Sequence, residues 1–163
     1  MNEVIFYGVD FSKAKFYAVK EIPVKLKTGV SRISALFVAE LKKYDIQKFM
    51  GKTVSGYNFD QVQKNNAGID ETTIVTTVSN HYLSETDIKQ IISELPETDK
   101  PGLIFIGEMM NKAANQGIFH VVLFAGKTKD ILLSRHISGK AAGFGVRNFW
   151  AGAVYHILKN WRY

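Results

Sequence analysis

A glycine-rich stretch near the end of the chain, residues 139–148 with the sequence GKAAGFGVRN, holds the residues best suited to bind an anion. Glycines adopt backbone angles that are closed to other residues, so a loop rich in them can bend sharply around a ligand. Asn148 is a candidate N-cap of a following helix, and the amides of a helix N-terminus attract anions. The candidate binding residues are Lys140, Gly143, Gly145, Arg147 and Asn148.

This loop departs from the common phosphate-binding signatures. Its sequence matches neither G-x-x-x-x-G-K-[ST] nor G-x-G-x-x-G, and no Ser or Thr follows that would hold magnesium. A structural turn is therefore the favoured interpretation, and an anion site is the alternative.

His120 and His136 are the candidate metal ligands, because they face each other in a predicted hairpin of residues 118–125 and 130–138. Imidazole is a common zinc ligand, but a structural zinc site needs four ligands. The nearby acids are Glu108 and Asp130, and the sequence places neither clearly within reach. We therefore expect a cross-strand histidine pair without a metal, and we expect no cofactor.

No catalytic signature emerges from the remaining reactive side chains. The absence of cysteine excludes thiol catalysis and cysteine-based zinc or iron–sulfur sites. His81 and His156 have no Ser, Cys or Asp partner at a recognisable spacing, although catalytic triads are assembled in space. The sequence thus favours a protein that is not an enzyme and names no catalytic residue.

The net charge of +6 is unevenly distributed along the chain. Residues 1–99 hold 12 Lys and Arg against 13 Asp and Glu, a balance of −1, whereas residues 100–163 hold 9 against 2, a balance of +7. Such asymmetry suggests an anionic partner. The basic residues are nevertheless scattered singly, and Phe144 and Phe149 are better placed for packing than for base stacking, so no specific nucleic-acid partner is expected.

The elements that must position these residues follow from apolar periodicity. Helices are predicted near 31–44, 84–95 and 148–160, and Ser84 and Asp87 fit a capping box for the second of these. In the third helix, Trp150 and Ile157 should be largely buried. Strands are predicted at 4–9, 15–19, 53–59, 72–78, 103–109, 118–125 and 130–138. A polar turn should join the first two strands, and residues 60–72 should form a loop.

These elements predict one α/β domain over residues 1–163, leaning towards α+β. We expect a mixed, largely antiparallel sheet with about three packing helices, the last of them C-terminal. A chain of 163 residues with 46% hydrophobic content buries roughly 70% of its unfolded surface, so its core needs no disulfide. No apolar run is long enough to span a bilayer, and the first residues do not resemble a signal peptide, which by itself would indicate a cytoplasmic protein.

Two segments, VIFYGVDFSKAKFYAV near the start and ISGKAAGFGVRNFWAGAVYHILK near the end, resemble a family of small uncharacterised proteins of Bacteroidetes bacteria. Members of that family commonly carry an export signal, so the resemblance implies a periplasmic or secreted protein. Residues 102–139 also resemble, in pattern, the α/β domains of envelope lipoproteins and secretion-accessory proteins, which typically hold protein partners. Neither resemblance implies an activity.

Three functions remain open at this point. The leading hypothesis is a non-enzymatic envelope or secreted protein that binds another macromolecule, most simply another protein. The second is a small-ligand or anion-binding domain that uses residues 139–148. The third is a hydrolase whose site is assembled in space.

Overall fold

The computed structural model describes residues 2–162, and its central feature is a seven-stranded sheet with helices on both faces. The strands are β1 (Glu3–Asp10), β2 (Lys15–Tyr17), β3 (Thr53–Tyr57), β4 (Val75–Thr76), β5 (Gly102–Asn111), β6 (Gln116–Phe124) and β7 (Ile131–Lys140). The helices are α1 (Pro23–Val30), α2 (Leu36–Ala39), α3 (Ile46–Met50), α4 (Asp60–Ala67), α5 (Glu85–Ser93) and α6 (Gly145–Lys159). The α/β class and the C-terminal last helix are confirmed.

Strand β5 is the centre of the sheet. One of its edges pairs in parallel with β1 and β2, which in turn pair in parallel with β3 and β4, and its other edge begins the antiparallel series β5–β6–β7. The prediction of a largely antiparallel sheet is therefore wrong. Helical segments connect β2 to β3, β3 to β4 and β4 to β5, and such crossovers return the chain to the same end of the sheet.

The predicted turn between the first two strands exists, but it does not reverse the chain. Both β1 and β2 run parallel to β5, so together they form one interrupted strand. The Ser12 amide donates to the Asp10 carboxylate at 2.8 Å, as expected for a local polar turn. The Asn66 side chain accepts from the Phe11 amide at 2.8 Å and donates to the Val9 carbonyl at 3.1 Å. These bonds replace the strand pairing that is lost at the interruption.

Helix α4 occupies the first part of the loop predicted at 60–72, so that prediction is wrong for Asp60–Ala67, whereas residues 68–72 are neither helix nor strand. The helix buries Val62 and Asn66, and Asn65 donates to the Asp10 carboxylate at 3.0 Å. Its polar residues are therefore structural, because they satisfy backbone and carboxylate groups of the interrupted strand. Composition alone does not reveal this role, since the partners lie more than fifty residues away.

The helix predicted at 31–44 is also different in the structure. Helix α1 begins earlier, at Pro23, because proline is well suited to the first position of a helix, where no amide donor is needed. Within 31–44 only the short α2 is helical, although most of the expected apolar stripe is buried as predicted. Leu41 is the exception, with 53% of its surface exposed.

Other local predictions are confirmed. Helix α5 begins with the expected capping box, in which Ser84 and Asp87 exchange hydrogen bonds. The β6–β7 hairpin has the predicted register, with His120 opposite His136. Trp150 and Ile157 are 2% and 1% exposed. The strand predicted at 72–78, by contrast, is wrong in extent, because only the two residues of β4 are in the sheet.

The sheet separates two apolar clusters. The larger one contains Trp150 and Phe105 and joins the sheet to α1, α2, α3 and α6. The smaller one contains Ile88 and Ile104 and joins the opposite face to α4 and α5. Any site on α5 is therefore separated by the sheet from the glycine-rich loop before α6.

Candidate functional site

The glycine-rich loop connects β7 to α6, and its backbone has the conformation that its sequence predicts. Gly143 and Gly145 both have positive φ, at 135° and 79°. A Cβ at Gly143 would lie 2.8 Å from the Asn148 carbonyl oxygen, so the loop closes tightly onto the first turn of α6. Helix α6 begins at Gly145 with Phe144 as its N-cap, so the prediction of Asn148 as N-cap is wrong.

Gly145, Arg147 and Asn148 line a pocket of about 460 Å³ between the loop and α1. The two helices approach closely because α1 has a glycine there: a Cβ at Gly29 would lie 2.5 Å from the Val146 side chain. The α1 side of the pocket contains Val24, Lys25, Thr28, Gly29 and Arg32. The loop therefore has a basic wall opposite it, formed by residues that are distant from it along the chain.

The other two predicted binding residues lie elsewhere. Lys140 is in the β-ladder opposite Gln116 and does not line this pocket. Gly143 borders a small neighbouring cavity of about 60 Å³. Arg147 donates from its Nε to the Asn148 Oδ1 at 3.0 Å. The structure thus brings together three of the five predicted residues.

Phe144 stands at the tip of the loop and is 95% exposed, so the expectation that it is better placed for packing is wrong. Val24 on the facing helix is also exposed, at 46%. We call the combination of Val24, Lys25, Arg32, Phe144 and Arg147 the Phe144 surface. In the sequence, Phe144 stands between two glycines and before the apolar stripe of α6, and this position is the feature that sets it apart from the core residues of the helix.

A second group of functional side chains lies on the opposite face of the sheet. The Glu108 carboxylate accepts hydrogen bonds from the Nε2 atoms of His120 and His136, each at 2.7 Å. The two imidazole rings are stacked with 4.5 Å between their centroids and 15° between their planes. The Leu83 amide donates a further bond to Glu108 at 2.9 Å. We call Glu108, His120 and His136 the Glu–His–His cluster.

An irregularity in β5 places Glu108 in this cluster. Gly107 pairs with Phe119 and Met109 pairs with Ile118, so Glu108 is an extra residue without a partner in β6. Such a bulge bends the strand and redirects a side chain. Glu108 is 1% exposed and reaches both histidines. Of the two nearby acids that the sequence placed not clearly within reach, Glu108 is therefore the one that contacts the histidine pair.

The hydrogen bonds determine the charge of Glu108. Burial by itself would raise the pKa of this carboxyl, but the bonds from His120, the Leu83 amide and His136 outweigh burial and lower the pKa to about 2. Glu108 is therefore an ionised acceptor, and each bonded Nε2 carries the donated proton.

The two histidines border a pocket of about 400 Å³ next to the first turn of α5. Its other lining residues are Leu83, Ser84, Glu85, Ile88, Ile131 and Ser134. The cluster is therefore accessible to a small solute, and the exposed side chain of His136 is the more accessible of the two imidazoles.

The remaining histidines do not form a recognisable catalytic group. The Nε2 of His81 contacts the Lys13 carbonyl oxygen at 2.9 Å, and His156 lies on the exposed side of α6. The observation that would favour a hydrolase, a serine or aspartate bonded to either ring, is not among the hydrogen bonds of residues 2–162.

Within residues 2–162, none of the helices combines the length and apolar character that a bilayer span requires. Comparison of the chain with protein-family models, curated proteins and solved structures gave no match. The resemblance to a Bacteroidetes family stays a prediction, and function has to be inferred from the two sites themselves.

Proposed function

We propose that this protein is a non-enzymatic binding domain of the bacterial envelope or of the secreted fraction, and that it holds another protein through the Phe144 surface. The observation that carries this proposal is the 95% exposure of Phe144 beside a basic pocket. The location rests on the family resemblance, and the binding role rests on this surface.

Phe144 is presented by a well-anchored loop. Ala141 before it and Trp150 after it are both buried, and Lys112 lies 3.5 Å above the ring of Phe149. The backbone on both sides of Phe144 is therefore anchored, so a partner that covers this residue has little main chain to order. Burying a phenylalanine contributes about 1.5–3 kcal/mol, so this residue is a suitable anchor of an interface.

The charges around Phe144 indicate the chemistry of the partner. Lys25, Arg32 and Arg147 line the pocket beside it, and none of the residues that line this pocket is acidic. A protein segment with an apolar side chain flanked by carboxylates would complement this surface. A second copy of the chain fits less well, because it would bring the same basic residues into contact with themselves.

A small-anion site in the same pocket is the second candidate, favoured by Arg147 and the first amides of α6 at its wall. The separation of Lys140 from the pocket weakens this alternative. An anion also leaves the exposed Phe144 without a role. The protein partner accounts for both the apolar and the basic residues.

The test uses a synthetic peptide with a central leucine flanked by glutamates, titrated into the labelled chain and followed by amide NMR shifts. We expect saturable shifts at residues 143–148 and in α1. Phe144→Ala and Arg147→Ala should each reduce the affinity by about tenfold, the effect of losing roughly 1.4 kcal/mol.

Tyr82→Ala is the matched control, because Tyr82 is another aromatic residue with 70% exposure. A titration with inorganic phosphate separates the two candidates. The anion hypothesis would be favoured by two results together. Phosphate would have to cause saturable shifts that disappear in an Arg147→Ala, Lys140→Ala double variant, and the peptide would have to show no binding. The proposal would be contradicted if the peptide caused equal shifts in all variants. It would also be contradicted if the wild-type chain formed dimers and the Phe144→Ala substitution dissociated them.

A further inference from the structure

We propose that the Glu–His–His cluster binds one divalent transition-metal ion, with zinc as the best-suited ion, on the α5 side of the sheet. Two imidazole nitrogens and one carboxylate oxygen are suitable zinc ligands, and three protein ligands are typical of zinc sites that keep one position open. The proposal is independent of the Phe144 surface, which lies on the other face of the sheet.

The donor atoms are already gathered in one place. The ligand atoms of Glu108, His120 and His136 lie within 4.8 Å of one another. In a tetrahedral site with bonds of about 2.0–2.1 Å, neighbouring donors are ~3.3 Å apart. The present N···O distances of 2.7 Å would therefore have to open by ~0.6 Å. An imidazole coordinates in its ring plane, so the two rings, now stacked with 15° between their planes, would also have to turn towards a common point. His136, whose side chain is half exposed, is the ring with room to turn.

The metal would take the position of the two protons that now lie between the histidines and Glu108. A neutral imidazole can release Nε2 for coordination and carry its single proton on Nδ1, so each ring remains neutral. The carboxylate is already held in place, because the Leu83 amide bonds to Glu108 Oε2 at 2.9 Å. Such an outer contact orients a ligand and strengthens metal binding.

The adjoining pocket provides access and room for further ligands. Its volume of about 400 Å³ leaves room for water beside an ion, and its lining includes the polar residues Ser84 and Ser134. Water or a small anion entering from this pocket would complete the coordination. This arrangement differs from a closed structural site, in which four protein ligands surround the ion.

The test is a zinc titration of the untagged, chelator-treated 163-residue chain in competition with a chromophoric chelator. We expect saturable binding of one ion per chain. His120→Gln and His136→Gln should each weaken binding by ~100-fold or more, because loss of even an outer-shell partner costs about 10–100-fold. Glutamine can still donate a hydrogen bond to Glu108, so these variants can keep the hydrogen bonds to the carboxylate while removing the imidazole ligand.

His156→Gln is the matched control, since it removes an exposed histidine outside the cluster and should leave the affinity unchanged. Cobalt substitution with visible spectroscopy, and imidazole NMR shifts confined to His120 and His136, provide independent readouts. Circular dichroism confirms that each variant is folded. Zinc binding that is weak and falls equally in all three variants would contradict the proposal. So would zinc binding that persists when the cluster histidines are replaced. Either result would mean that the cluster is a hydrogen-bonded group without a specific metal site.

Discussion

At the scale of single residues, Tyr44 is a buried tyrosine near α3 and α6, and its burial disfavours ionisation of the phenol. Tyr44 is 3% exposed and packs against the rings of Phe37 and Tyr155. Burial, reinforced by the negative charge of Glu40, raises its pKa from 10.0 to about 12. The neutral phenol is therefore the form that the folded state favours.

Alkaline stability should report on this residue. The unfolded chain ionises Tyr44 near pH 10, whereas the folded chain holds the proton until about pH 12. Its contribution to stability is fully present below pH 10 and is lost as the pH rises through this window, by about 2–3 kcal/mol. We expect urea unfolding of Tyr44→Phe to depend less on pH between 10 and 12 than that of wild type.

Tyr82→Phe serves as the control in this experiment, because Tyr82 is 70% exposed. Its pH dependence should match wild type. Identical alkaline profiles for wild type and Tyr44→Phe would show that the tyrosine is ionised equally in both states.

At the scale of elements, α4 shows how a polar segment can be structural. Its Asn66 bonds to the amide of Phe11 and the carbonyl of Val9, two backbone groups at the end of β1, where the interruption begins. The helix therefore acts as a replacement for strand pairing. This explains why residues that look like a loop are folded as a helix.

We expect Asn66→Ala to lower the free energy of unfolding by roughly 2–4 kcal/mol, because it leaves a buried donor and a buried acceptor without partners. Urea denaturation followed by circular dichroism measures this change. Gln63→Ala is the control on the same helix: the Gln63 side chain bonds to the Ser31 carbonyl at the surface, and its removal should cost less than ~0.5 kcal/mol. Equal losses in both variants would contradict the proposed role of Asn66.

At the scale of the whole molecule, the basic residues behind the +7 balance of residues 100–163 lie in β7, in α6 and in the segments before β5, between β5 and β6, between β6 and β7 and after α6. The positive charges of this part are therefore distributed over several elements. Such a distribution attracts polyanions weakly, and the attraction is screened within about 8 Å at physiological ionic strength.

Binding to DNA oligonucleotides should accordingly be weak, indifferent to sequence and abolished by salt. Fluorescence anisotropy at low and physiological ionic strength, with oligonucleotides of different sequence, measures this. Tight binding of one sequence that persists at high salt would show a dedicated nucleic-acid site and would contradict the expectation from the scattered charges.

The sequence by itself determined the features that depend on neighbouring residues. The capping box of α5, the register of the β6–β7 hairpin and the burial of Trp150 all follow from spacing within a few residues or across one short turn. The glycine loop was also recognised as the link between the last strand and the last helix. In these cases, the partners of each residue lie close to it along the chain.

Only the tertiary structure decided the features whose partners are distant in sequence. The parallel pairing of β1 with β5 depends on the crossover segments between them, and Asn66 acts on backbone 55 residues away. The bulge at Glu108 completes the histidine pair, and the exposure of Phe144 depends on how α1 packs against α6. Periodicity carries no information about such contacts, because it describes which face of an element is apolar and not which element covers it.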